Sequence, residues 1–176
     1  MDKWTTAYLS IGSNKGNKTE NLSRAIQCLE KDDKIKVTGV SEFYRTAPQN
    51  YTDQDWFVNA ALKVATLCGP ETLLDLLKSI EAVLDKDGKP FRFGPRVIDL
   101  DIIYFDTMEL KTDRLELPHP RMHERCFVLK PLCDIAKDLA HPVLKLTTDE
   151  LLQQIKTDED QAVIPLAQEE PNEIFY

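Results

Sequence analysis

Residues 94–105 read Gly94-Pro-Arg-Val-Ile-Asp-Leu-Asp-Ile-Ile-Tyr-Phe105. β-Branched and aromatic residues dominate after the Gly-Pro turn, so Val97–Phe105 is expected to be the strongest strand of the chain. Successive side chains on a strand point to opposite faces. Ile98, Leu100 and Ile102 therefore share a face suited to a core, while Asp99 and Asp101 project from the other face about 7 Å apart.

Upstream segments supply the partners such a strand needs. Thr5–Ile11 is rich in β-formers and runs into the turn Gly12-Ser13-Asn14. Asn17, with Glu20 three residues on, has the pattern of a helix N-cap box. Leu22, Ala25, Ile26 and Leu29 follow at helical spacing and predict a helix over about 18–31. Lys36–Tyr44 reads as a second strand and Trp56–Thr66 as a third. In the third, Val58, Ala60, Leu62 and Val64 alternate against Phe57, Asn59 and Ala61. Gly69-Pro70 opens a second helix with Leu73, Leu77, Ile80 and Leu84 as its apolar stripe. Strand, helix, strand, strand, helix, strand is the order of a split βαβ unit. The expected fold is an α+β, ferredoxin-like α/β sandwich whose mainly antiparallel sheet is flanked by helices. Short helices are expected within 121–136 and over 148–155. Residues 1–157 form one domain in this reading. Residues 158–176 form an acidic tail, expected to be loosely held because Asp158, Glu159, Asp160, Glu169, Glu170 and Glu173 meet no Lys or Arg there.

Composition narrows the function. A chain of 176 residues, 42% hydrophobic and 30% charged, is long enough to bury a core. A net charge of −8 argues against a general nucleic-acid binder, yet a small phosphate site needs only a local basic cluster. No apolar run approaches the roughly 18 residues that span a bilayer, and Met1-Asp2-Lys3-Trp4 has no signal-like apolar stretch. A cytoplasmic, monomeric protein without membrane or nucleic-acid partners is the expectation. Cys28, Cys68, Cys126 and Cys133 are scattered without a C-x-x-C pair, as suits reduced thiols.

The chemistry gathers around the acid pair. Two carboxylates fixed on one strand face repel each other unless a cation joins them. Oxygen ligands of this kind suit Mg²⁺ held beside substrate phosphates. The preceding loop is locally basic: Lys86, Lys89, Arg92 and Arg96 face only Asp87 between residues 86 and 96. Such a loop can close over a triphosphate. Arg114, His119, Arg121, His123 and Arg125 add donors compatible with phosphate. His119 and His123 have an i, i+4 spacing, but Pro118 and Pro120 flank His119 and no H-E-x-x-H pattern is present, so zinc is not expected. Neither a Walker loop nor a Rossmann glycine fingerprint occurs.

A set of ordered segments carries a family resemblance. Tyr8-Leu-Ser-Ile-Gly-Ser-Asn14, Phe43-Tyr-Arg-Thr46, Asn59-Ala-Ala61, Ile80-Glu81, Gly94-Pro-Arg-Val-Ile-Asp-Leu-Asp101, Leu117-Pro-His119 and Arg125-Cys-Phe-Val-Leu129 occur in order, within a resemblance that extends over about residues 5–155. Together they resemble the 6-hydroxymethyl-7,8-dihydropterin pyrophosphokinases of folate biosynthesis. The resemblance implies transfer of the β,γ-pyrophosphoryl group of ATP to the pterin hydroxymethyl, with release of AMP. It implies two Mg²⁺ ions on Asp99 and Asp101, and ATP contacts from Lys78, Glu81, Arg96, the Ile98 backbone, Arg114, His119 and Arg125. By the same resemblance Phe57 and Phe127 sandwich the pterin, Asn59 reads its hydrogen-bonding edge, and Thr46 and Phe93 complete its site. Arg96 and Lys86 take the catalytic positions. Three positions depart from the family pattern: Lys86 stands for a loop arginine, Phe93 for a tryptophan and Pro120 for an aromatic residue. Lysine keeps the charge but lacks the bidentate fork. A nucleotidyl or γ-phosphoryl transferase sharing the acid pair, and a non-catalytic ferredoxin-like binding module, are the alternative readings.

Overall fold

β1 (Thr5–Ser13) lies between β4 (Phe57–Thr66) and β5 (Asp99–Phe105) and is antiparallel to both. The far side of β4 pairs β2 (Ile35–Val40) along its C-terminal half and β3 (Tyr44–Thr46) at its N-terminal end. This is the split βαβ arrangement with an antiparallel sheet, the fold class read from the sequence. A computed structural model describes residues 3–156 and 159–168. Asp158 and residues 169–176 of the expected tail lie outside the described residues.

Helices α1 (Lys18–Glu30) and α2 (Pro70–Leu84) cover one face of the sheet. Asn17 caps α1 as its spacing suggested, its side chain accepting the Glu20 amide hydrogen at 3.2 Å. Leu9, Ile11, Leu62, Val64, Leu100 and Ile102 from the strands meet Leu22, Leu29, Leu73 and Leu77 from the helices, all of them buried. Ile98 joins them at 1% exposure, so the apolar half of the strand alternation is spent on this core.

The other face is covered along half its length. There α3 (Cys126–Ala136) and α4 (Thr148–Gln154) pack Val128, Leu129, Leu132 and Leu151 over Tyr8, Ala61, Ile103 and Tyr104. The remaining half of that face, carrying Ser10, Gly12, Asn59, Asp99 and Asp101, borders a cavity. The hairpin β6 (Leu110–Lys111) and β7 (Glu116–Leu117) lies beyond β5.

Two expectations are corrected. Lys36–Tyr44 is not one strand. Its ladder with β4 shifts register between Val37 and Gly39, and Ser41 holds Ala61 with both its backbone amide and its hydroxyl before β3 resumes the pairing. Nor is the stretch after residue 158 loose throughout. Val163–Pro165 forms β8, antiparallel to β3 at the sheet edge. Ala162, Val163, Ile164 and Leu166 supply the apolar surface that acidity alone concealed. Among the described residues no helix is long and apolar enough to cross a membrane.

Candidate active site

Strand alternation places the site. Asp99, Asp101, Ser10, Gly12, Phe57 and Asn59 share the sheet face turned away from α1 and α2, and they border a cavity of about 330 Å³. Thr46, at the end of β3, and Phe127, in the first turn of α3, border the same cavity.

The amide end of the cavity is pre-set. Asn59, 5% exposed, accepts the Thr46 hydroxyl hydrogen at 2.6 Å and donates to the Ile11 carbonyl at 3.3 Å. One N–H and one lone pair of that amide are left for a ligand. Gly12 permits the close approach, because a β-carbon there would sit 2.4 Å from Asn59 Nδ2.

Charge collects at the other end. Lys89 Nζ lies 3.0 Å from Asp99 Oδ1, and Arg96 Nε lies 3.2 Å from Oδ2 without the alignment of a hydrogen bond. Burial disfavours the charged Asp99 carboxylate, but Arg96 and Lys89 outweigh this and hold it below the ordinary carboxylate range. Among the described residues no cation is paired with Asp101 in this way. Burial first, and then Asp99, push its carboxyl up to about 6. Glu81 braces the strand from α2, accepting the Leu100 amide hydrogen at 2.7 Å while pairing with Lys78 at 3.0 Å. The Arg96 guanidinium lies 4.9 Å from the Phe57 ring centre, between the aromatic wall and the acids.

Arg96 is held by a junction. Asn14, 3% exposed, accepts the Arg96 amide hydrogen at 2.9 Å and donates to Gln54 Oε1 at 2.8 Å and the Asp55 carbonyl at 3.2 Å. Gln54 in turn donates to the Phe93 carbonyl at 3.0 Å. That bond helps hold Phe93 at φ 63°, an unusual value for an aromatic residue. Asp85 anchors the loop base by accepting the Val97 amide hydrogen at 2.9 Å.

Residues 8–137 match the family model described as 7,8-dihydro-6-hydroxymethylpterin-pyrophosphokinase (HPPK). The chain belongs to this family. The 2-amino-4-hydroxy-6-hydroxymethyldihydropteridine pyrophosphokinase of Methylorubrum extorquens is 45% identical over 135 residues, covering 77% of this chain and 85% of the relative. The Bacillus subtilis protein of the same name is 39% identical over 144 residues, covering 82% and 86%. Folic acid synthesis protein FOL1 of Dictyostelium discoideum is 47% identical over 82% of this chain, which spans 22% of that longer protein. Among solved structures, the Plasmodium falciparum HPPK-DHPS wild type with pteroate superposes with a TM-score of 0.69 at 16% identity, over 87% of this chain and 42% of that one. That likeness bears on the fold alone.

The HPPK resemblance selected fifteen side chains or backbones, and the geometry sorts them. Thr46, Phe57, Asn59, Phe93 and Phe127 all border the cavity, as do Lys78, Arg96, Asp99, Asp101 and Arg125. Five others do not border it. Lys86 is exposed on the loop. Glu81 stands behind the acids, and Ile98 is in the core. Arg114 turns to Asp75 and Glu71 at the start of α2. His119 lines a neighbouring depression with His123 and His141. Burial, then Arg125 and Arg121, push its imidazole down to about 4, so it is neutral near pH 7. Its Nδ1 accepts the Arg121 amide hydrogen, which puts its proton on Nε2. Sequence reasoning gave no site role to Gly12, Gln49, Asn14 or Gln54. Gly12 and Asn14 lie in the Tyr8–Asn14 segment that carries the family resemblance, whereas Gln49 and Gln54 left no local signal.

Proposed function

We propose that the chain transfers pyrophosphate from ATP to 6-hydroxymethyl-7,8-dihydropterin in folate biosynthesis, dependent on Mg²⁺ and yielding AMP and the pterin diphosphate. The observation that carries this is one cavity with a stacking and amide-bearing end, Phe57, Phe127 and Asn59, beside a charged end built on Asp99 and Asp101. Membership of a pyrophosphokinase family supports reading the transfer as β,γ-pyrophosphoryl over γ-phosphoryl.

The acid pair fits magnesium. No hydrogen bond among the described residues relieves the Asp101 carboxyl, whose charge is disfavoured by burial and by Asp99. Among the described residues no group of three or more His, Cys, Asp or Glu side chains forms a closed metal cage. Two carboxylates and an open remainder suit a cation that keeps waters and takes substrate phosphate oxygens. Asp99 and Asp101 would hold two Mg²⁺ ions, which supply neutralisation of phosphate charge. The protein's own groups position the reactants. Phe57 and Phe127 hold the pterin plane, and the spare N–H and lone pair of Asn59 read its edge. Arg96, fixed by Asn14, offers its guanidinium to the phosphoryl oxygens between the two ends. Lys89, Arg92 and, on closure of the loop, Lys86 add positive charge, with Lys78 and Arg125 also bordering the cavity. Neutral His119 donates from Nε2 to a nucleotide oxygen.

Metal removal tests this reading. The protein with ATP and the pterin should turn over with added Mg²⁺, stop when excess chelator is added, and resume when Mg²⁺ is restored. Unchanged turnover in chelator contradicts it.

A further inference from the structure

The family match ends at residue 137, but the chain returns to the cavity wall more than twenty residues later. The Ala47 amide donates to the Ala162 carbonyl at 3.1 Å, and Thr46 opposes Val163 in the β3–β8 ladder. Gln161 sits at the centre of this return. Its Oε1 accepts from Gln49 Nε2 at 2.8 Å and from the Cys126 amide at 3.1 Å. Its Nε2 donates to the Glu124 carbonyl at 3.1 Å. One side chain therefore joins two cavity walls. Gln49 belongs to the loop after Thr46, and Cys126 opens the helix that carries Phe127. Arg125, the N-cap residue of α3, makes no capping bond with its own side chain, so Gln161 satisfies an amide that the helix itself leaves free.

We propose that Gln161 is a positioning residue that fixes the Thr46–Gln49 segment against the first turn of α3, and thereby where Phe127 sits across from Phe57 in the site that takes a flat heteroaromatic ring. This rests on the pterin reading of that site. Gln161 itself does not border the cavity, so its effect passes through Gln49 and the first turn of α3.

Binding of 6-hydroxymethylpterin and of a nonhydrolysable Mg-ATP analogue, measured separately, tests this on the full chain. Gln161→Met fills the same space without the three hydrogen bonds. It should weaken the pterin about tenfold, the order expected for losing more than one net hydrogen bond, and the nucleotide about twofold at most. Gln161→Glu keeps the oxygen acceptors for Gln49 and Cys126 and should recover most of the lost affinity. Should Gln161→Met fail to fold, Gln161→Asn, which keeps the amide but shortens its reach, is read in the same way. Unchanged pterin affinity, or equal loss of both ligands with a lowered Tm, overturns the proposal. Wild-type protein that binds the nucleotide but no pterin overturns the pterin reading, and this inference with it.

Discussion

Asp101 stands beside a second acid with no ion pair of its own among the described residues, and that imbalance has a measurable sign. A carboxyl in an unfolded chain titrates near about 4. In the folded chain Asp101 keeps its proton up to about 6. Between those values the folded state binds more protons at this site than the unfolded state. Its contribution to stability is therefore present below about 4 and lost as pH rises through about 6. Asp99 runs the other way, its contribution present above the unfolded value and lost on acidification. Metal-free Asp101→Asn should consequently melt above metal-free wild type at pH 8, with the gap closing toward pH 4. Turnover should fall by roughly 10²–10³, the usual scale for losing one electrostatic contact to a transition state. A variant that melts lower at pH 8, or that turns over normally, contradicts the assignment. The D-x-D pair was legible because alternation on a strand assigns faces without knowledge of the partners. The loop cations were not. Four positive residues between 86 and 96 look alike in sequence, and the chain path brings Lys89 to Asp99 while leaving Lys86 exposed. Gln161 left no signal either, since a polar residue in an acidic segment says nothing of the helix it caps.

Elements differ in how far sequence periodicity governs them. β1, α1, β4, α2 and β5 fall within two residues of their expected bounds, because each carries an apolar pattern that closes against its own neighbours. Lys36–Tyr44 and the segment after 158 did not, because sheet pairing rather than local pattern sets their form. Ser41 interrupts one strand through Ala61, and β3 recruits the other into a ladder. Two asparagines near the start of α1 separate local from distant roles. Asn17→Ala removes a helix cap and should cost about 1 kcal/mol of stability with turnover unchanged. Asn14→Ala removes the side-chain bonds to the Arg96 amide, Gln54 and Asp55. It should cost about 1–3 kcal/mol and lower turnover by about 10–100-fold, because Arg96 loses its fixed placement. Denaturant melts paired with initial rates check both, and similar kinetic losses in the two variants would deny Asn14 its special role.

Across the whole molecule, one half of a sheet face is left uncovered. α1 and α2 pack over the first face, whereas α3 and α4 stop short on the second. The uncovered half keeps Asp99, Asp101 and Asn59 beside a cavity whose walls come from widely separated parts of the chain. A chain with net charge −8 thus presents Lys78, Lys89, Arg92, Arg96 and Arg125 around one opening. Such a local positive field attracts a polyphosphate even on an acidic protein. The central claim is that this opening moves two phosphoryl groups at once. Mass analysis of the products from Mg-ATP and 6-hydroxymethyl-7,8-dihydropterin tests it most directly. The account predicts a pterin carrying two phosphoryl groups and an equal amount of AMP, whereas a singly phosphorylated pterin with ADP, or free pyrophosphate, would contradict it.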